Sequence, residues 1–305
     1  MKTVTIEPAS GGSPLSKAGA RGRAVLDLAE LVKARLTLLV LLTTAVGYYL
    51  GAPPVVNVMS LFHVVFGTAM AAAGAAALNQ WWERRLDALM HRTRERPIPA
   101  GRMLPRNAFI VGLGLTVAGV IYLGAICNWL SALLAAATVA IYIFAYTPLK
   151  RVSTVNTLVG AVPGALPPMI GWTAARDNVE VASWSLFAIL FCWQMPHFFA
   201  IAWMYREDYA RGGFQMLSRD DDTGVRSASQ GVLFCMLLLI LTGMPFYFGL
   251  TKVLYLPVAL ALGGGFTFMA MQFHRKKTLP AARALFVTSI IYLPLLLLTL
   301  VLTKS

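Results

Sequence analysis

The sequence predicts an all-α membrane protein with nine transmembrane helices, and three observations support this fold class. Of the 305 residues, 58% are hydrophobic and 13% are charged, whereas soluble domains carry roughly a quarter charged residues. Apolar runs of about 18 residues or more, each long enough to cross a bilayer, recur along the chain. Lys and Arg lie in the N-terminal tail, at the entry of the first helix and in alternate connections between these runs, apart from Arg176, Lys252 and Lys304.

The apolar runs place the spans near residues 33–51, 59–80, 108–127, 129–147, 156–174, 183–204, 229–250, 252–273 and 283–302. Pro163, Pro167 and Pro168 in the fifth span are expected to bend or break its helix, because proline removes a backbone donor. The Gly/Ala run 69–77 in the second span favours close helix packing. A roomy substrate cleft lined by small side chains is the alternative.

The one-sided distribution of Lys and Arg predicts the orientation of the chain. Basic loops stay on the cytoplasmic side of a membrane, so an odd number of spans places the N-terminus inside. The net charge of +13 therefore reflects topology, and no nucleic-acid partner is predicted. We expect a disordered cytoplasmic tail over 1–24 and one polytopic domain over 25–305. The bilayer would be the cell inner membrane, or the mitochondrial inner membrane in a eukaryote.

Three polar residues at the end of the second span follow a helical repeat. Asn79, Glu83 and Asp87 are four residues apart, so on a continuous helix they lie on one face along about 12 Å. Two carboxylates and an amide oxygen suit Mg²⁺, which takes one or two carboxylates together with water and substrate phosphate. Spacing alone allows a second interpretation, a solvated helix end whose acids pair with neighbouring arginines.

The stretch from His91 to Pro99 is dense in arginine. Guanidinium groups bind phosphate bidentately and keep their proton, so Arg92 and Arg96 suit a diphosphate. On its own the stretch is typical of a positive-inside loop. Beside a carboxylate stripe, it indicates a site for Mg²⁺ and a diphosphate leaving group.

Three motifs, in order along the chain, resemble those of the UbiA-type intramembrane prenyltransferases. The first is Asn79-x3-Glu83-x3-Asp87 and the second is Tyr146-Thr147-Pro148-Leu149-Lys150-Arg151, followed by Asn156. The third is Pro196-His197-Phe198, followed by Tyr205-Arg206-x-Asp208-Tyr209. Glu83 replaces the usual aspartate and resembles the branch of the family that farnesylates haem. The similarity runs from about Ala29 to the last span.

This resemblance implies a UbiA-like helical bundle around a central cavity, with farnesyl diphosphate and haem B as substrates. It implies a Mg²⁺ cofactor held by Asn79, Glu83 and Asp87, with Asp208 contributing to the metal and Tyr146 near the departing oxygen. The acids after the sixth span are fewer than in the general family, which leaves a second metal ion open. The substrate-binding residues implied are Arg92, Arg96, Lys150, Arg151, Asn156, His197, Arg206 and Tyr209.

His197 allows two interpretations. A lone histidine in a span is often a hydrogen-bonded packing residue, yet polar groups at this depth tend to face a functional cavity. Neutral imidazole is also a common axial ligand of haem iron, and Gln194 would help it to position a porphyrin.

Two other functions are compatible with the sequence. A prenyltransferase could act on an aromatic acid or a quinone precursor, although Glu83 and the element around His197 favour haem. A transporter would carry charges near the bilayer midplane, whereas here they gather at the inner edge, which favours an enzyme. Haem A synthase and terminal oxidase assembly proteins are the protein partners that the resemblance implies.

Overall fold

The computed structural model describes residues 14–305, with side chains from residue 22. The first thirteen residues of the predicted disordered tail lie outside this range. Residues 14–24, also assigned to that tail, instead form the start of helix α1, Pro14–Leu31. The far end of α1 is held by Gln80, whose Nε2 donates to the carbonyls of Glu30 and Leu31. These contacts occupy carbonyls that a helix end leaves without internal partners.

The remaining helices follow in chain order, joined mostly by short turns. Their bounds are α2 Ala34–Gly51, α3 Val58–Asp87, α4 Pro105–Tyr122, α5 Trp129–Ala140, α6 Thr147–Leu149, α7 Asn156–Ala165, α8 Pro167–Arg176, α9 Val181–Met204, α10 Arg206–Arg211, α11 Val225–Leu241, α12 Met244–Tyr247, α13 Tyr255–Lys276 and α14 Leu279–Leu302. Two π-helical turns, Leu123–Cys127 and Ile141–Tyr146, extend α4 and α5.

Nine helical segments between residues 14 and 305 are long and apolar enough to span a membrane. They are α2, α3, α4 with its π-turn, α5 to α6, α7 with α8, α9, α11 with α12, α13 and α14. This confirms the predicted all-helical class with nine spans. The largest difference in a boundary is at α3, which continues to Asp87. Glu83, Arg84 and Arg85 are good helix formers, and the buried Glu83 and Asp87 have partners of their own.

The fifth span is broken, as its prolines predicted. Helix α7 ends at Ala165 and α8 begins at Pro167, with Leu166 outside both. Pro167 occupies the first turn of α8, where its missing N–H costs nothing. The break divides the fifth span into two helices.

Glycine allows the closest helix contacts. A Cβ on Gly47 of α2 would overlap the carbonyl of Pro168, and one on Gly171 of α8 would overlap the carbonyl of Thr44. Gly74 of α3 lies equally close to the backbone of α4 at Thr116. The Gly/Ala run 69–77 therefore packs against a neighbouring helix at this position, as the first of its two interpretations proposed, because small residues let backbones approach.

The carbonyl end of α2 binds two of the three basic residues that lie on the predicted outer side. Lys304 Nζ donates to the carbonyl oxygens of Tyr49 and Ala52, each at 2.7 Å, and Arg176 Nε donates to that of Gly51. A helix C-terminus carries partial negative charge. We call Lys304, Arg176 and these three carbonyls the outer clamp.

Candidate active site

The acidic stripe of α3, Asn79, Glu83 and Asp87, lies inside the protein. These side chains are 0%, 4% and 1% exposed, which rejects the interpretation of a solvated helix end. Groups of this polarity are buried only where partners compensate them. The stripe must therefore be completed by other parts of the chain.

Each member of the stripe contacts a different basic side chain. Lys33 Nζ lies 2.7 Å from Asn79 Oδ1, and Lys150 Nζ lies 2.8 Å from Glu83 Oε1. Arg96 Nη1 lies 2.8 Å from Asp87 Oδ2. The three cations come from three segments: the α1–α2 junction, the turn after α6 and the loop after α3. The fold thus brings together Asn79, Glu83 and Asp87 with Arg96 and Lys150, as predicted.

Lys33 is a member of the site that the sequence analysis missed. It sits one residue before α2 in the left-handed backbone region, with φ 49°, which costs energy for a residue with a Cβ. Its ammonium also lies 3.3 Å from the Tyr142 hydroxyl. Burial, with repulsion from Arg96 and Lys150, lowers the pKa of Lys33 to about 7, against the opposing attraction of Glu83 and Asp87.

Lys150 is a fixed cation. Its Nζ lies 4.4 Å from the centre of the Tyr146 ring and 5.7 Å from that of Phe214. Burial alone would lower the pKa of Lys150, but the combined effect of the Glu83 carboxylate, of its hydrogen bond to Lys150 and of the Tyr146 and Tyr142 side chains outweighs burial and raises this pKa. Tyr146 thus lies beside the cation that contacts the stripe, within the π-helical turn after α5, a feature that is frequent at functional sites.

The stripe can accept a metal ion. Glu83 and Asp87 each bind a cation through one oxygen, and the second oxygen of each has no hydrogen-bond partner among the described residues. Asn79 Nδ2 donates to Thr147 Oγ1 at 3.1 Å, which turns the amide oxygen toward Lys33. Two carboxylates and one amide fit Mg²⁺ when the substrate supplies phosphate oxygens.

Asp208 is placed elsewhere. Its Oδ1 and Oδ2 accept the backbone N–H groups of His91 and Arg92 at 2.9 and 3.1 Å, and Arg211 Nη2 lies 2.6 Å from Oδ1. Burial acts to raise the pKa of Asp208, but Arg211 and the two amides hold it below its usual value. Within residues 22–305 no three His, Cys, Asp or Glu side chains form a metal cluster. The predicted contribution of Asp208 to the metal thus has no support in this geometry, because both its oxygens tether a loop.

Two other predicted residues also lie away from the stripe. Asn156 is fully buried and its Nδ2 donates to the carbonyls of Ser153 and Gln215, so it joins two loops. Arg151 is exposed. Both belong to the motif that contains Lys150, and of these three residues only Lys150 contacts the stripe.

Arg92 and Arg206 lie away from the stripe and line a cavity of ≈520 Å³. Tyr209 accepts a hydrogen bond from Arg92 Nη2 at 3.1 Å. The residues that line the cavity are His91, Arg92, Met204, Tyr205, Arg206, Glu207, Asp208, Arg211 and Leu279.

His197 lies between α9 and α14. Its Nδ1 is 2.7 Å from Ser289 Oγ, and its ring packs between Trp193 and Phe286, with centroids at 5.5 and 4.9 Å. Gln194 contacts α7 instead, donating to the carbonyl of Ala161. Gln194 therefore does not assist His197, because the two side chains contact different helices.

Comparison with known proteins gives consistent results. The UbiA prenyltransferase family matches residues 40–297. A protein from Solibacter usitatus called protoheme IX farnesyltransferase is 44% identical over 279 residues, which cover 88% of this chain and 96% of that protein.

Solved structures share the fold. A structure described as that of digeranylgeranylglyceryl phosphate synthase superposes with a TM-score of 0.77 at 14% identity, covering 92% of this chain and 98% of that one. A UbiA homologue from Archaeoglobus fulgidus, bound to DMAPP and Mg²⁺, gives 0.68 at 15% identity, with coverages of 90% and 99%.

Proposed function

The chain belongs to the UbiA prenyltransferase family, and from this premise we propose that it transfers a farnesyl group from farnesyl diphosphate to a vinyl group of haem B. The products would be haem O and diphosphate. The observation that carries the proposal is the buried stripe of Asn79, Glu83 and Asp87, faced by three basic side chains. The name of the relative from Solibacter usitatus supports farnesyl as the donor group and haem as the acceptor.

Asn79, Glu83 and Asp87 would hold Mg²⁺ through their oxygens. The metal-bound structure of the homologue from Archaeoglobus fulgidus supports this cofactor for the family. When bound, Mg²⁺ would neutralise charge on the leaving diphosphate.

The three basic side chains would then exchange partners. Lys33 now contacts the Asn79 oxygen that the metal would take, and Lys150 and Arg96 contact the two carboxylates that would bind the metal. Released from them, each can donate to a phosphate oxygen without leaving the site. Arg96 offers a bidentate pair of N–H groups, and the two lysines act as point charges.

Charge neutralisation promotes cleavage of the bond between the farnesyl carbon and the diphosphate oxygen, which keeps the electron pair. The allylic cation is attacked by the terminal vinyl carbon of haem, and this forms the new carbon–carbon bond. Water adds to the resulting cation and loses a proton, giving the hydroxyethylfarnesyl group. The apolar walls of the bundle would protect the allylic cation from earlier attack by water.

His197 would bind the haem iron through Nε2, with Ser289 orienting the ring at Nδ1, in the way that second partners commonly fix metal-binding imidazoles. The packing interpretation competes with this one. His197→Ala should weaken haem binding and change the Soret spectrum, with Trp193→Phe as a packing control. An unchanged spectrum and affinity would remove the role.

We also propose the location and partners. The distribution of basic residues supports an N-terminus in the cytoplasm, and the bilayer would be the cell inner membrane, or the mitochondrial inner membrane in a eukaryote. Because haem O is a precursor that further enzymes must use, haem A synthase and terminal oxidase assembly proteins are the partners expected. The transporter alternative is set aside, because the family is one of prenyltransferases.

The decisive experiment incubates the purified protein with farnesyl diphosphate, haem B and Mg²⁺, and follows haem by mass spectrometry. We expect a heavier haem, formed only with the metal. Parallel reactions with 4-hydroxybenzoate and with a naphthoquinone precursor test the remaining acceptors. Prenylation of either one in place of haem would refute the proposed acceptor.

A further inference from the structure

The cavity lined by Arg92 and Arg206 is distinct from the acidic stripe, since no member of the stripe lines it. It lies where α9 ends at Met204 and α14 begins at Leu279, and both of these residues line it. The cavity therefore combines an apolar wall with a basic rim at one end of a helix pair.

Two guanidinium groups in this cavity have no acidic partner among the described residues. Arg211 pairs with Asp208, whereas neither Arg92 nor Arg206 forms an ion pair with a described Asp or Glu. Glu207, the other acid of the lining, is exposed and bonds to neither. A cavity with two uncompensated arginines attracts an anion.

Aromatic rings hold both guanidinium groups. Arg92 lies over the rings of Tyr205 and Tyr209, at 5.4 and 5.3 Å from their centres. Arg206 lies over the Trp203 ring at 4.5 Å. Stacking of this kind fixes the guanidinium plane while it leaves N–H groups along the edge available to a ligand.

An aromatic pair separates these arginines from the stripe. Lys150 lies 5.7 Å from the Phe214 ring, Phe214 lies 6.1 Å from Tyr209, and Tyr209 contacts Arg92. The protein thus has two places that suit an anion. One is the acidic stripe, which also offers oxygen ligands to a metal ion, and the other is the cavity lined by Arg92 and Arg206, which does not. Asp208 is the buried carboxylate of this cavity, and both its oxygens already accept hydrogen bonds from backbone amides.

The faces of α9 and α14 that line the cavity also carry His197 and Phe286, deeper in the bundle. Met204 follows His197 by seven residues on α9, and Leu279 precedes Phe286 by seven on α14. Seven residues are two helical turns, about 10 Å, on nearly the same face. His197 and Phe286 are in contact, so this pair lies two turns deeper than the pair at the cavity.

We propose that Arg92 and Arg206 bind the two propionate carboxylates of the haem acceptor, an inference that rests on the function proposed above. Two separate carboxylates on a flat apolar ring match two separate guanidinium groups beside an apolar wall. In protohaem the propionates and vinyl groups occupy opposite halves of the ring. Anchoring the propionates at the membrane edge would direct the vinyl groups into the bundle, along these faces of α9 and α14 toward His197.

The test compares ferric protohaem with its dimethyl ester, in which both carboxylates are neutral. The protein is placed in phosphatidylcholine nanodiscs, and binding is followed by the Soret absorbance. We expect protohaem to bind about tenfold more tightly than the ester, as for a hydrogen bond to a charged group. Arg206→Gln and Arg92→Gln should each remove most of this preference and leave ester binding nearly unchanged.

Arg94→Gln is the matched control. Arg94 belongs to the same basic loop and is exposed like Arg92, but it pairs with Glu95 and does not line the cavity, so its variant should keep the preference. Equal binding of protohaem and ester to the wild-type protein would overturn the inference. So would loss of the preference in phosphatidylglycerol nanodiscs, because a lipid headgroup would then be the occupant.

Product formation separates this inference from the proposed function. A preference for protohaem that depends on Arg206, with no farnesylated haem formed, would support the carboxylate site and refute the transfer. Farnesylation of haem and its dimethyl ester with equal kcat/KM would support the transfer and overturn the carboxylate site.

Discussion

Basic side chains at the two ends of the bundle have different kinds of partner. At the predicted inner end, Lys33, Lys150 and Arg96 contact side-chain oxygens of the acidic stripe. At the predicted outer end, Lys304 and Arg176 contact main-chain carbonyls at the end of α2. The residue types are the same, but the acceptors differ.

The difference separates exchangeable contacts from permanent ones. A carboxylate has two oxygens and can rotate, so it can pass from a lysine to a metal ion. A carbonyl at a helix end is held in place by the backbone and cannot turn toward a new partner. We infer that the cations paired with the acidic stripe serve chemistry and that those of the outer clamp serve stability.

The strongest test of this comparison is Glu83→Gln. The amide keeps the shape but loses the charge that binds Mg²⁺, and it leaves Lys150 without a counter-ion. We expect turnover to fall by about 10²- to 10³-fold, as when a preorganised charge-stabilising group is lost, with the folded protein still in the membrane. Glu95→Gln, at an exposed acid of the loop after α3 that lies outside the stripe and the cavity, should retain turnover. Normal turnover of Glu83→Gln would reject the metal assignment.

Lys33→Met is expected to have the next largest effect. It removes the ammonium that faces Asn79 while preserving most of the side-chain length. Loss of one charge-assisted contact to the diphosphate should lower kcat/KM for farnesyl diphosphate by about tenfold. Lys33→Arg should recover part of this activity. If Lys33→Met changed thermal stability but not kcat/KM, Lys33 would belong with the permanent contacts.

Asp208→Asn sharpens the comparison, because here an inner-face acid binds the backbone. The amide can accept only one of the two backbone N–H groups and loses the ion pair with Arg211. We expect the free energy of unfolding to fall by about 1–2 kcal/mol, measured by thermal unfolding in detergent. Metal-dependent binding of farnesyl diphosphate should stay close to wild type. A large loss of that binding would return Asp208 to the metal site.

Lys304→Met should have the smallest effect. It removes two hydrogen bonds to carbonyls and the contact with the Tyr49 ring, at a partly exposed position. A loss of about 1 kcal/mol in unfolding free energy is expected, with unchanged kcat. Lys252→Met, at the third and exposed basic residue of the outer side, is the control and should change neither quantity.

Much of the fold was predictable because apolar length and proline act locally. The run lengths located nine spans, and the prolines located the break at Leu166. The inner end of α3 was less predictable, because hydropathy falls at Trp81 while the helix continues to Asp87. Its polar residues are stabilised by distant partners that hydropathy does not measure.

The site was predictable where its residues share one helix. The four-residue spacing placed Asn79, Glu83 and Asp87 together, but Lys33 looked like any basic residue before a first span. Asp208 meets the backbone of His91 across 117 positions of the chain, a contact that no local pattern contains. The motif suggested that Asp208 is a metal ligand, but in the folded chain Asp208 binds backbone amides and Arg211 instead.

The glycine contact between α2 and α8 has a consequence for variants far from the chemistry. Gly47 and Gly171 press two backbones together, and α2 runs from that contact to Lys33 as one helix. An added methyl group at Gly171 would displace α2 from α8. Because α2 is one continuous helix, the displacement would also move Lys33 at its start, more than a dozen residues from Gly47. A deep mutational scan should therefore find these two glycines as intolerant of alanine as the residues that hold the substrate.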